Sequence, residues 1–191
     1  TNYVVLAQKV IEKYGRDFTP HDMSQAWLTY QAKDAYCTAE RVAFCNFVNG
    51  YAPPESAVYK NPYREWIGAQ IRGDYFGYIN PGNPQEAACM AYRDASISHV
   101  KNGIYGEMFA SAMISAAADA ENVFDVIKAG LSEIPETSRL YEAVYDIIEK
   151  FENGVSQEDC VAFIHNKYNE FDPHDSVHTI PNALIVVIAL L

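Results

Sequence analysis

The chain has 191 residues, of which 49% are hydrophobic and 20% charged. That is the make-up of one globular domain with a sizeable core, and it excludes a disordered segment. A formal net charge of −11 speaks against nucleic acid and against an anionic membrane surface as partners, because both need a basic face. An anionic small ligand would need local help from helix N-termini, an arginine or a bound cation.

Val4, Val5, Ala7, Gln8, Ile11 and Tyr14 recur at helical spacing, with Gly15 as the stop. Thr19-Pro20-His21-Asp22 is a strong helix start, with Thr as N-cap, Pro at the first position and an acid in the first turn. That helix carries Met23, Ala26, Trp27 and Tyr30. Thr38, Glu40 and Arg41 open the next, whose predicted apolar face is Val42, Phe44, Cys45 and Val48, closed by Asn49-Gly50. Between Tyr51 and Tyr63 the chain is irregular, broken by Pro53-Pro54 and Asn61-Pro62, and a long loop in a helical domain is more often functional than idle. Residues 63–78 hold three glycines and five aromatics and read as a helix closely packed on one side.

Asn80-Pro81-Gly82-Asn83-Pro84 is a turn, and Pro84 begins a helix bearing Ala87, Ala88, Met90, Ala91 and Ala95 that runs towards His99. A polar break, Ser96 to Met108, leads into the Ala/Ser-rich run Phe109 to Ala120. Small side chains allow close helix approach, so this run reads as a central helix with others packed around it. Gly103 and Gly106 stand at its head. They either make a tight inter-helix turn or let backbone approach a ligand, and His99 is correspondingly a satisfied core residue or a contact. Asn122 starts a helix with Val123, Val126 and Ile127 that ends at Gly130. Thr137-Ser138 caps another bearing Leu140, Val144, Ile147, Ile148 and Phe151, stopped by Gly154. Ser156 to Asp159 opens one with Cys160, Phe163 and Ile164, and a final apolar helix follows Pro181. No stretch alternates with period two. The expected fold is an all-α orthogonal bundle of about nine or ten helices.

Cys37, Cys45, Cys89 and Cys160 show no CxxC pair and fall in helical patterns, so they read as reduced core thiols of a cytoplasmic protein. The longest apolar run, Ala183 to Leu191, has nine residues, too few to span a bilayer. The chain starts and stops without caps, so residues 1–191 read as one domain truncated at both ends. Expressed alone, it is expected to aggregate or pack loosely.

No G-x-S-x-G elbow, P-loop, G-x-G-x-x-G or H-E-x-x-H is present. His174 and His178 are four apart, but Pro173 and Asp175 make that segment a loop, and two ligands do not fill a metal site. Asp34, Asp74 and Asp94 are isolated in sequence, so no acid/base pair follows from spacing. Glu107 serves either the helix dipole or a ligand.

Gly68-Ala69-Gln70-Ile71-Arg72, then Ser96 to His99, then Gly103-Ile104-Tyr105-Gly106 before an alanine-rich helix resemble, in that order, the core of the ADP-ribosylglycohydrolase family. Thr179-Ile180-Pro181-Asn182-Ala183 is similar to the start of that family's penultimate helix. Ile67 stands where the family has Asn and Ser98 where it has Thr. The gap from His99 to Gly106 is about one residue shorter than the family's, and these departures bear on the substrate.

The resemblance implies a hydrolase of the bond between ADP-ribose and a modified side chain or small acceptor. The alternative is a non-catalytic ADP-ribose-binding or crystallin-like structural relative. It also implies a pair of Mg²⁺ ions that grip the distal ribose and polarise a water, which attacks the anomeric carbon once a metal-site carboxylate has taken its proton. Of the family's Thr-Asp-Asp-Thr run only the last residue matches, at Thr1, and the second acidic run would follow Leu191. The resemblance therefore assigns no metal ligand and no catalytic residue to this chain, and residues 1–191 alone are expected to show no metal-dependent hydrolase activity. It assigns ADP-ribose contacts to Gly68, Arg72, His99, Asn102, Gly103 and Gly106 on one cleft. Gly68 and Gly103 would admit the pyrophosphate. His99 would donate to a phosphate or ribose oxygen. Arg72 either binds phosphate or pairs with an acid such as Asp74 or Asp94.

Overall fold

Eleven α-helices make up the computed structural model, which describes residues 2–168 and 175–191. They are α1 (Asn2–Tyr14), α2 (Pro20–Tyr30), α3 (Thr38–Val48), α4 (Glu55–Val58), α5 (Asp74–Tyr78), α6 (Pro84–Ala95), α7 (Asn102–Ala116), α8 (Val123–Ser132), α9 (Arg139–Glu152), α10 (Gln157–Tyr168) and α11 (Thr179–Leu190). Among the described residues there is no β-strand, and no helix is long and apolar enough to cross a membrane. The fold is all-α.

The helix starts follow from their caps. Thr19 and Asp22 form a reciprocal capping box on α2, and Asn83, Asn122 and Ser138 each accept a hydrogen bond from the backbone N–H three residues on. The central helix is α7, and α5, α6, α8, α9 and α11 all pack on it. Its serines tolerate burial because their hydroxyls reach neighbouring turns: Ser111 donates to the Gly73 carbonyl at 2.9 Å, and Ser115 donates to that of Asn80. One core lies on each side of α7. Phe18, Met23, Trp27, Phe76, Met90 and Ile97 fill the first, and Phe109, Ile127, Leu140, Ile147, Leu184 and Val187 fill the second.

Several elements depart from the sequence reading. The buried face of α3 is Ala39, Glu40, Ala43, Asn46 and Phe47, while Val48 is 65% exposed. On α1 the buried residues are Leu6, Ala7 and Val10, with Val4 and Val5 exposed. The packed side of α1 is thus turned from the predicted one, and in α3 small and polar residues share the packed side with Phe47. Only Cys160 is a core thiol, since Cys37 and Cys89 are exposed and Cys45 is half-buried. Gly130 does not end α8 but lies buried within it, where it admits Phe109 and Met113 of α7.

Residues 63–78 are not one helix. Arg64 to Ile67 form turns around an isolated bridge between Trp66 and His178, and their backbone groups bond sideways. Val100 N–H donates to the Arg64 carbonyl at 2.9 Å, Thr179 N–H to that of Glu65 at 3.2 Å, and Ile67 N–H to that of Val177 at 2.8 Å. A 3₁₀ turn, Gln70–Arg72, and the short α5 follow. Backbone groups committed to neighbours on either side cannot also close helical rings.

Candidate functional site

The 3₁₀ turn Gln70–Arg72 carries Arg72 into the interior, where three helices each supply a carboxyl group. Glu40 comes from α3, Asp94 from the last turn of α6 and Glu107 from the second turn of α7, none more than 4% exposed. Arg72 Nε donates to the Asp94 carboxylate, and one terminal nitrogen, NH2, donates to the Asp94 carbonyl at 3.1 Å. The other, NH1, lies 3.5 Å from Glu40 Oε1 and from the Gly68 carbonyl. Glu107 Oε2 is 3.8 Å from Nε. The guanidinium sits over Trp27, 5.0 Å from its ring centroid, and Tyr36 stacks on that indole with centroids 4.4 Å apart. A desolvated cation over an indole is worth about 2 kcal/mol.

One arginine cannot neutralise three ionised carboxylates in a dry interior. Burial, then the charge of Asp94, push the Glu107 carboxyl well above the usual carboxylate range, against the opposing pull of Arg72. Burial also raises Glu40. Burial works against the charge on Arg72, but Asp94, Glu107 and Glu40 outweigh it and keep the guanidinium protonated. Burial thus favours the protonated form of Glu107, and neither of its carboxyl oxygens has a hydrogen-bond partner among the described residues.

Arg72 also reaches the turn between α6 and α7. NH2 is 3.0 Å from Ser98 Oγ, which lies 2.8 Å from His99 Nδ1. His99 is fully buried, its Nε2 has no partner, and burial and the nearby Arg72 charge push it well below its usual value. Asn61 donates to the Ser98 carbonyl at 3.0 Å, and Ser56 donates to that of Ile97 at 2.8 Å. The irregular 51–63 segment thus braces this turn. Lys101 closes it at φ 47°, a region that side chains avoid.

Of the six residues expected to contact ligand, Arg72 and His99 meet through Ser98, and Gly68 joins them through its carbonyl. The other three lie at the head of α7. Asn102 Nδ2 donates to Glu65 at 2.8 Å and Oδ1 accepts from Leu140 N–H at 3.1 Å, which clamps α7 to α9. Gly106 packs on Thr179 and Gln70.

All six are buried. At Gly68 the space a Cβ would need is filled by the Glu40 carboxyl, and at Gly103 by the Arg64 carbonyl 2.5 Å away. Both glycines thus admit the protein's own groups. None of the six lines the cavity of about 700 Å³ between α8 and α9, or that of about 600 Å³ beside α11. Arg72 pairs with Asp94 and not with Asp74, whose carboxyl is raised by partial burial. His174 lies outside the described residues, and His178 precedes α11, where its carbonyl accepts from Asn182 at 2.7 Å.

Sequence reasoning missed Glu40 and Ser98 as members of the cluster. The signal for Glu40 was its helical register with Ala43 and Phe47.

The family model for ADP-ribosylglycohydrolase matches residues 3–191. The chain belongs to that family. The match supports an ADP-ribosylglycohydrolase-type function for this ADP-ribosylglycohydrolase family member. No curated protein and no solved structure matches it. Within this family member, the segments that carried the resemblance, 68–72 and 96–106, are the two that Arg72 and Ser98 join.

Proposed function

We propose that the protein hydrolyses the glycosidic bond between ADP-ribose and a modified side chain or small acceptor. The ADP-ribose would lie against the Gly68–Arg72 segment and the His99–Gly106 turn. The observation that carries this reading is the buried connection from Arg72 through Ser98 to His99. It fixes the relative position of two segments that are 24 residues or more apart in sequence (68–72 and 96–106).

The chain's own residues hold and orient. Arg72 is spent on Asp94 and on the turn, so its role is to support the site from beneath. Asn102 and Gly103 set the start of α7 against Glu65 and Arg64. His99, held neutral, offers a hydrogen-bond donor to a phosphate or ribose oxygen, and its low basicity makes it a poor general base.

Mg²⁺ ions, when bound, would polarise the attacking water. Among the described residues no group of three or more His, Cys, Asp or Glu is placed to hold a metal. The carboxyl groups that do converge, Glu40, Asp94 and Glu107, are turned on Arg72. The described residues therefore do not fit the two ions. The two exposed free thiols, Cys37 and Cys89, favour a reducing, cytoplasmic setting.

The test is His99→Ala in the full-length protein, with ADP-ribose affinity, measured in MgCl₂ and in EDTA, set beside the far-ultraviolet spectrum. Weaker binding with an intact spectrum supports the reading. Unchanged affinity removes His99 from the site.

A further inference from the structure

We infer that Arg72 and Ser98 are positioning residues that hold His99 as the neutral imidazole with its proton on Nε2, a fixed donor for an ADP-ribose oxygen. The donor half of this inference rests on the proposed function above.

Donors and acceptors around Ser98 decide the tautomer. A guanidinium only donates, so at 3.0 Å from Arg72 NH2 the Ser98 oxygen is an acceptor. The same oxygen lies 2.8 Å from His99 Nδ1. Either the Ser98 hydroxyl donates to a bare Nδ1, or a protonated Nδ1 donates to Ser98 as its second incoming bond.

In the second arrangement the Ser98 hydroxyl hydrogen has nowhere to go, in a residue with no exposed surface. The lone pair on Nε2 is then unpartnered as well. In the first arrangement the single orphan is the Nε2 hydrogen. Buried orphans are costly, and one is cheaper than two. The doubly protonated ring is disfavoured by burial and by the Arg72 charge.

The groups facing Arg72 keep the relay in one register. Asp94 takes Nε and offers its carbonyl to NH2, Glu40 and the Gly68 carbonyl face NH1, and Glu107 lies beside Nε. Rotation of the guanidinium to release Ser98 would break the contacts with Asp94, so the hydroxyl stays oriented. His99 then presents Nε2–H without choosing between tautomers when a ligand oxygen arrives. A phosphate or ribose oxygen, which accepts, matches that atom; a ligand N–H does not.

The experiment uses full-length protein labelled with ¹⁵N at histidine, long-range ¹H–¹⁵N correlation spectra at neutral pH, and calorimetric titration with ADP-ribose. His99→Gln assigns the signals. The expected wild-type pattern is Nε2–H. Ser98→Ala is expected to move His99 toward the Nδ1–H form and to weaken ADP-ribose binding roughly three- to tenfold. Ser98→Thr, which keeps the hydroxyl, is expected to restore both.

An Nδ1–H pattern in the wild type, or an unchanged tautomer in Ser98→Ala, overturns the relay. If Ser98→Ala does not fold, an Nδ1–H pattern in wild type or in Ser98→Thr overturns it equally. A changed tautomer with unchanged affinity overturns the donor role. A wild type that shows Nε2–H but binds no ADP-ribose upholds the relay and overturns the substrate reading.

Discussion

Arg72 and Asp94 are joined twice, once through the Asp94 carboxylate and once through its backbone carbonyl. The pair ties the 70–72 turn to the last turn of α6, and with it the two segments of the candidate site.

Removing the cation leaves buried acids without compensation, which typically costs about 3–5 kcal/mol. Arg72→Met is therefore expected to lose about that much in urea unfolding. Arg72→Lys should recover little, because Asp94, Gly68 and Ser98 are met by three separate guanidinium nitrogens, a spread that the single nitrogen of an ammonium does not span. A lysine variant within about 0.5 kcal/mol of wild type would contradict the three-way role.

Glu107 sets a pH dependence. Its folded-state value is raised by burial, so the native state holds a proton that the unfolded chain releases. Stability from this group is complete below the ordinary glutamate value and is lost as pH rises through the raised one. Glu40, also raised, acts in the same direction, and His99, lowered, acts in the opposite one near its ordinary value. Glu107→Gln has no proton to lose. The urea midpoint of this variant is expected to fall less than that of wild type between pH 5 and 9. Parallel curves would place the titration elsewhere.

A Cβ at Gly68 would run into the Glu40 carboxyl. Gly68→Ala is expected to cost about 1–3 kcal/mol by overpacking. In a Glu40→Ala background the space is free, so the same change should cost less by about 0.5–3 kcal/mol. Additive losses in the double mutant would show that the two positions do not press on each other.

Asn102 bridges a carboxylate and a backbone N–H. Asn102→Asp keeps the acceptor for Leu140 but faces Glu65 with a second carboxylate. It should be less stable than wild type by about 1–3 kcal/mol at neutral pH, and the gap should narrow in acid. An equal loss at pH 4 and pH 7 would leave Glu65 out of the interaction.

The sequence disclosed most of the helices because caps and stops are local. Thr19, Asn83, Asn122 and Ser138 cap as their residue types require, and Gly15, Gly50 and Gly154 adopt the positive φ that ends a helix. It disclosed α7 because a helix of alanine and serine has no reason to face water. It hid the faces of α1 and α3, where packing selects Ala39, Ala43 and a charged Glu40 over larger neighbours. It hid the sideways-bonded 64–67 segment, whose partners at Val100 and Val177–Thr179 are distant in sequence. The charged cluster was hidden for the same reason: Glu40, Arg72, Asp94 and Glu107 lie on four separate elements, and no spacing rule brings them together.

The central claim is that the protein releases ADP-ribose from a modified acceptor. Its most direct test incubates full-length protein with ADP-ribosylated protein in MgCl₂ and follows free ADP-ribose by chromatography. The predicted result is time-dependent release, lowered in His99→Ala with its fold intact. ADP-ribose binding without release would identify a non-catalytic relative, and neither binding nor release would contradict the account.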